Sequence, residues 1–490
     1  MPADTVLVID AGTSALRAVA VRSDGEVRVI AREPWRTFIP DDAAPFGREF
    51  DPGDIAASLD RVLAAAAPER ARIAGIACTG QREGIAFVDE AGAALFASPN
   101  VDARASAEGI ATDVAHGTEV YATTGHLPSL MQAPAKLAWL RAHRPEIAAR
   151  VHHVLPLVDW IAMTLTGRAA ISRSLAAENG LLDITSGWVA ATLLEWLGLP
   201  ASCVPPVAGD GAIAGHVRAS AFAGVPVVLA GADTQCALLG MGAAEPGAVG
   251  VPAGWSAPLQ MVTAAPVFDS ERRTWTSVHV APERWILESN AGECGRAWEW
   301  ICSIMRVGHD EALALAAAAP RGVHDAMAVL GARTMRAHEM AAGVGALTLP
   351  LPLVMSAPDR GDLLRSMLEA TAYALRANLE QLESVSGTRV ERLHVGGGMS
   401  RSQLFTQIVA DVVDRPVEVA RSAETSAVGA AALASVTLGL HASLDEAIRG
   451  MAGGRRIAHP VLAASAEYED LYARWCALSD EMARIGPEIG

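Results

Sequence analysis

The stretch Thr5–Val29, TVLVIDAGTSALRAVAVRSDGEVRV, decides the reading of the chain. Thr5–Ile9 is an apolar, β-branched run ending at Asp10; a second run covers Leu16–Val21 and a third begins at Val27. Gly12-Thr13-Ser14 and Ser23-Asp24-Gly25 separate them, residue types that tolerate the positive φ hairpin turns need, so the pattern predicts three antiparallel strands. The first turn gathers a carboxylate, two hydroxyls and free backbone N–H groups at a strand end. Such a concavity suits a phosphate, and the acid suits an accompanying Mg²⁺; an ordinary hairpin with a turn-capping Asp fits the stretch alone equally well.

The chain is 490 residues long, too many for one core, and 51% hydrophobic residues exclude disorder, so two domains are expected. A net charge of −16 disfavours nucleic acid or an anionic membrane as partner. Lys136 is the single lysine, and no GxxxxGK[ST] occurs, which excludes a Walker-type phosphate loop. The six scattered cysteines include no CxxC pair and read as core residues of a reducing compartment. With no apolar run of membrane-spanning length and no leader-like start, a cytoplasmic protein is expected.

Polar clusters recur at the ends of apolar runs. Arg72–Cys78 leads into Thr79-Gly80-Gln81-Arg82-Glu83-Gly84, where Arg82 and Glu83 can serve polyol hydroxyls or form an ion pair on a rim. Ser98–Arg104 places Asn100, Asp102 and Arg104 in a loop before a helix. Val154–Trp160 reads as a buried turn into a further helix. Val225–Leu229 is a strand followed by Gly231-Ala232-Asp233 and a small-residue helix; Asp233 there is either a general base or the helix N-cap. The Gly- and Pro-containing stretch 242–249 marks the expected boundary, dividing the chain into 1–245 and 246–490. Gly250–Val262 then repeats the opening hairpin with Gly254-Trp255-Ser256 at its turn, which predicts an internal structural repeat. Arg392–Val395 enters Gly396-Gly397-Gly398, where a flat ring or ribose can lie on bare backbone. Beyond Gly450 no chemistry is legible.

Together IDAGTSALR, GQREG, NVDAR, GADTQ and GGGMSRSQLFTQIVADV with AETSAVGAA resemble the FGGY family of carbohydrate and polyol kinases, in order, from Thr5 to about Leu440. Within it, REGIAFVDEAGAALFASPNVDARA and EVYATTGHLPSL are most similar to the autoinducer-2 kinase branch. The resemblance implies an α/β, actin-like fold, two ribonuclease-H-like domains facing a cleft, and ATP-dependent phosphorylation of a small sugar, polyol or linear hydroxy-carbonyl compound. It implies Asp233 as general base and Asp10 with Asp233 as Mg²⁺ ligands. Gly12, Thr13, Ser14 and Arg17 would form the first phosphate loop, Gly254 and Ser256 the second, and Gly396, Gly397 and Gly398 would border the adenosine. Gln81, Arg82, Glu83, Asp102 and Asp233 would contact the substrate, and a homodimer is suggested. One departure stands out: the family's second loop usually reads Gly-Thr, and here it is Gly254-Trp255. Two other readings share the hairpins and glycine run: an actin- or Hsp70-like nucleotide switch, and a catalytically weak sugar-binding sensor motivated by Trp255.

Overall fold

The computed structural model describes residues 3–339, 344–350 and 358–489. Its first main sheet has six strands, β1 (Thr5–Ala11), β2 (Ala15–Arg22), β3 (Val27–Pro34), β4 (Ile73–Gly80), β5 (Ile213–His216) and β6 (Pro226–Ala232), in the order β5-β6-β4-β1-β2-β3. The second has seven, β7 (Val249–Pro252), β8 (Pro258–Thr263), β9 (Trp275–Val278), β10 (Trp285–Asn290), β11 (Leu393–Gly396), β12 (Val417–Val419) and β13 (Arg456–Ala458), in the order β9-β10-β8-β7-β11-β12-β13. The opening hairpin pairs β1 antiparallel to β2, and β1 runs parallel to β4; β7 likewise pairs antiparallel to β8 and parallel to β11. Strands β1, β2, β3, β4 and β6 thus correspond to β7, β8, β10, β11 and β12 in both chain order and sheet position. The internal repeat expected from the second hairpin is present, and the architecture is the two-domain actin-like one.

Every residue of β1 is buried, which explains its unbroken apolar run: a central strand covered on both faces has no solvent side to alternate toward. Helices α1 (Asp233–Met241) and α2 (Thr425–Thr437) follow β6 and β12 and cross at the junction of the two halves. Their approach is set by glycine. A Cβ at Gly429 would lie 1.7 Å from the Cys236 carbonyl oxygen, and one at Gly240 would lie 2.0 Å from that of Thr425. No side chain fits at either position.

An insert of the first half, running from Ile85 to Ala208, carries a three-stranded sheet (Ala94–Ser98, Ile85–Val88, His153–Pro156) and most of that half's helices. Val154–Trp160, read as a buried turn, is instead strand to Pro156 and helix from Leu157, because backbone pairing with Ile85–Val88 holds it extended. The insert reaches the other half through side chains: Trp275 donates to Leu127 O at 2.6 Å, Trp285 to Ile184 O at 3.0 Å, and Tyr121 to Thr274 O at 2.9 Å. The final helix, α3 (Leu462–Ile489), buries Tyr468 and Trp475 in the second core, so the chemically silent C-terminus is structural. All six cysteines are free, and among the described residues no helix is long and apolar enough to cross a membrane.

Candidate active site

The C-terminal ends of β1, β4 and β6 lie side by side, with Ala11 paired to Gly80 and Gly80 to Ala232. Asp10 and Asp233 therefore project from the same end of the sheet, their strands two spacings or roughly 10 Å apart. Asp10 is buried; burial pushes its carboxyl above the usual carboxylate range against the pull of the Arg17 guanidinium, which is bonded to Oδ2. Its other oxygen, Oδ1, is buried with no hydrogen-bond partner. Asp233 opens α1 at the first helical position; the N-cap is Ala232, with no side-chain cap bond, so the capping alternative for Asp233 falls away. Burial first and the charge of Asp10 second push Asp233 up to about 7, and among the described residues no ion pair neutralises it. The orphaned oxygen of Asp10 and the carboxylate of Asp233, at one end of the sheet, are oxygen donors of the kind that could hold a hard divalent cation alongside phosphate and water. No cluster of three or more His, Cys, Asp or Glu side chains able to form an all-protein metal cage occurs among the described residues.

The turn beyond Asp10 is held from behind. Trp35 Nε1 donates to Gly12 O at 2.6 Å and Gln81 Nε2 to the same oxygen at 3.4 Å, while Gln81 N donates to Ala11 O at 2.9 Å. Asn100 Nδ2 donates to Thr13 Oγ1 at 3.1 Å, and its backbone N–H donates to Gln81 Oε1 at 2.8 Å. The backbone amides of the turn are thereby fixed before any ligand arrives. A Cβ on Gly12 would make only ordinary contacts, the nearest with Asp10 Oδ1 at 3.7 Å, so nothing crowds the turn. Arg17 crosses the junction to Glu424, at the N-cap of α2, and Arg401 approaches the same acid at 3.5 Å.

In the second turn Gly254 is equally open, its nearest would-be contact being 4.0 Å away. Gly254 N donates to Ser256 O at 3.0 Å, and Trp255 O accepts from Arg296 N at 3.1 Å, which ties the turn to the start of the helix Cys294–Met305. Trp255 is 38% exposed. The three glycines after β11 have separate reasons. A Cβ at Gly396 would meet Thr425 at 2.5 Å, Gly397 has φ +82° with Ala253 O against it, and only Gly398 faces open space.

The residues singled out at the end of β4 divide. Glu83 is partly exposed, and burial pushes its carboxyl up. Arg82 is buried, and it is paired far from any rim: it donates to both oxygens of Glu288, at 2.6 and 3.1 Å, and lies 3.4 Å from Glu178. Asp102 is also occupied, accepting from Arg104 Nε at 2.9 and 3.0 Å and from Arg48 N at 2.9 Å. Lys136, wholly buried, donates to Glu83 O at 2.9 Å and Pro99 O at 3.4 Å, and burial pushes it down to about 8. Around Arg82 the fold collects groups with no signal in the local sequence. Gln260 Nε2 donates to Glu288 at 2.7 Å and to Thr234 Oγ1 at 3.2 Å, Gln235 donates to Glu178, and His126 stacks on Trp275 with burial pushing it down to about 4.

Known proteins match the whole chain. The N-terminal domain of the FGGY family of carbohydrate kinases matches residues 5–240 and its C-terminal domain residues 253–438. The autoinducer-2 kinase of Yersinia enterocolitica is 30% identical over 98% of this chain and 96% of its own length. The xylulose kinase of Rhodospirillum rubrum superposes with a TM-score of 0.82 at 27% identity over 98% of this chain and 99% of its own. A glycerol kinase from Plasmodium falciparum solved with ADP gives 0.85 at 17% identity, with 98% of each chain covered.

Proposed function

The chain belongs to the FGGY family of carbohydrate kinases and phosphorylates a small sugar or polyol at the expense of ATP; from that premise we propose that Asp233 takes the proton of the attacking hydroxyl. The observation that carries this is the pairing of two acids of unequal state at one sheet end: Asp10 bonded to Arg17, Asp233 in no ion pair among the described residues and pushed up to about 7 by burial. A base of that strength is half-ionised near neutrality, where proton transfer from an alcohol is most effective. Phosphoryl transfer needs alignment and charge neutralisation more than covalent chemistry, which fits a site made of fixed backbone amides. The amides of Gly12, Thr13 and Ser14, with Arg17, would hold the phosphate tail from one side and those of Gly254 and Ser256 from the other, with Gly396, Gly397 and Gly398 bordering the adenosine. Mg²⁺ fits the free oxygen of Asp10 and the carboxylate of Asp233 and would supply charge neutralisation on the phosphates.

Gln81, Arg82, Glu83 and Asp102 would shape the acceptor site, Glu83 by direct contact and the other three through the bonds they already make. The acceptor named by the 30%-identical relatives, autoinducer-2, belongs to the class of linear hydroxy-carbonyl compounds, and ketoses and polyols are the neighbouring classes. We place the division between domains at 245/246 and take the protein to act in the cytoplasm, as a homodimer. The test is a coupled ADP-release screen over ketoses, aldoses, linear polyols and the autoinducer-2 precursor, with the phosphoester detected by mass spectrometry. ADP release that depends on one acceptor is the expected result. Release independent of any acceptor would favour a nucleotide switch, and acceptor binding with no phosphoester would favour a sensor.

A further inference from the structure

We infer that Glu288, on the opposite half of the molecule, is a specificity-determining residue that restricts the acceptor to uncharged compounds by occupying the Arg82 guanidinium; this rests on the kinase reading above. Arg82 follows the strand end that also carries Glu83, beside the strand leading to Asp233, and its charge acts on the Asp233 carboxyl. A free arginine there would be the natural receptor for a carboxylate, since its planar fork matches two oxygens. Glu288 already fills that fork with two hydrogen bonds, from Nη1 and Nη2, and Glu178 lies 3.4 Å from the same Nη1.

The other nearby cations are also spent, Arg17 being bonded to Asp10 and Glu424. Lys136 points its ammonium at two carbonyl oxygens, and buried His126 is uncharged at neutral pH. Glu83, Glu178, Glu288 and Asp233 line this side of the site, so among the described residues a carboxylate on the acceptor would meet acids and no protein cation without a partner of its own. Hydroxyls are different: they donate to the acids without bringing charge. The arrangement is built rather than incidental, since Gln260, the direct cross-strand partner of Glu288, donates to it and to Thr234 beside Asp233. Glu288 thereby links the aim of Arg82 to the position of the base.

The experiment compares matched acceptors, D-xylulose against D-xylonate and glycerol against D-glycerate, in wild type, Glu288→Gln and Glu288→Asp, with ATP affinity measured in each as the sign of an intact fold. Wild type is expected to prefer the neutral member by about 100-fold or more in kcat/KM, the scale of a like charge a few ångströms away. Glu288→Gln, which frees the guanidinium, should lower kcat/KM for the neutral acceptor and narrow the preference at least about tenfold through a lower KM or KI for the acid. Glu288→Asp, which keeps the charge, should lose rate and retain the preference. Equal losses on both acceptors in Glu288→Gln with ATP binding intact would overturn the inference. Should that variant not fold, wild type still decides: an aldonate that turns over or competes as well as its neutral partner overturns the inference and leaves the kinase reading standing. ADP release with no acceptor at all would remove both.

Discussion

The two hairpin turns share a topology and differ in what they carry. In the first, Asp10 lies two residues before Gly12; in the second, the equivalent place before Gly254 is Pro252, which has no charge to offer. The first turn is held by Trp35, Gln81 and Asn100, side chains that fix its amides from behind. The second is held by backbone alone, through Ser256, Arg296 and Ala253. A repeated fold has thus kept its sheet order in both halves, while only the first turn has an acid two residues before its glycine. The lesson is that a repeated fold supplies the same open hairpin turn twice, while a buried acid stands before the turn in one half only.

The sharpest way to break this asymmetry is Asp233→Asn, expected to lower kcat by ~10²–10⁴-fold with ATP affinity little changed, read by steady-state kinetics and nucleotide titration. Near-full turnover would sink the assignment. In wild type, kcat/KM should rise with pH through about 7 and level off above, since only the ionised carboxylate accepts a proton. Next comes Asp10→Asn, expected to lower turnover by roughly 10²-fold and to raise the Mg²⁺ concentration needed for half-maximal rate. Because Asp10 is one of the charges that raise Asp233, the same change should move the pH limb to the acid side. In the other half, Trp255→Thr restores a hydroxyl and should lower the KM for ATP by about fivefold, the worth of one hydrogen bond, with kcat held. A hundredfold change in kcat there would mean that the second turn does take part in the chemistry.

The smallest effect concerns stability. Asp159 is buried, accepts from Ser172 N at 2.9 Å, and is pushed up to about 7 by burial. Its folded value lies above its unfolded one, so its contribution is full below about pH 4 and is lost as pH rises toward about 7. Asp159→Asn should flatten the fall in urea midpoint over that range, an effect on the order of 1–3 kcal/mol.

What the sequence made legible was local. Asp10, Gly12 and Asp233 sit at strand ends that apolar runs and small residues announce, and each hairpin is closed by its own turn. What it hid was remote: Arg82 meets Glu178 and Glu288 across 96 and 206 residues of chain, and no spacing rule connects them. Glycine is ambiguous for a similar reason. Gly396 and Gly398 read alike in sequence, yet the first makes room for Thr425 and Met241 and the second faces open space. Asp102 looked available because its partner Arg104, two residues away, could equally have turned to solvent. Trp255 was visible as a departure, but its exposure comes from where the following helix anchors the turn.

The interior position of Lys136 has a practical consequence. With the only side-chain amine of the chain sealed against two carbonyl oxygens, amine-directed labels and lysine-specific proteases have nothing to act on in the folded protein beyond its terminus. A single mass increment at residue 136 would therefore count molecules that have opened, which makes this chain its own reporter of unfolding.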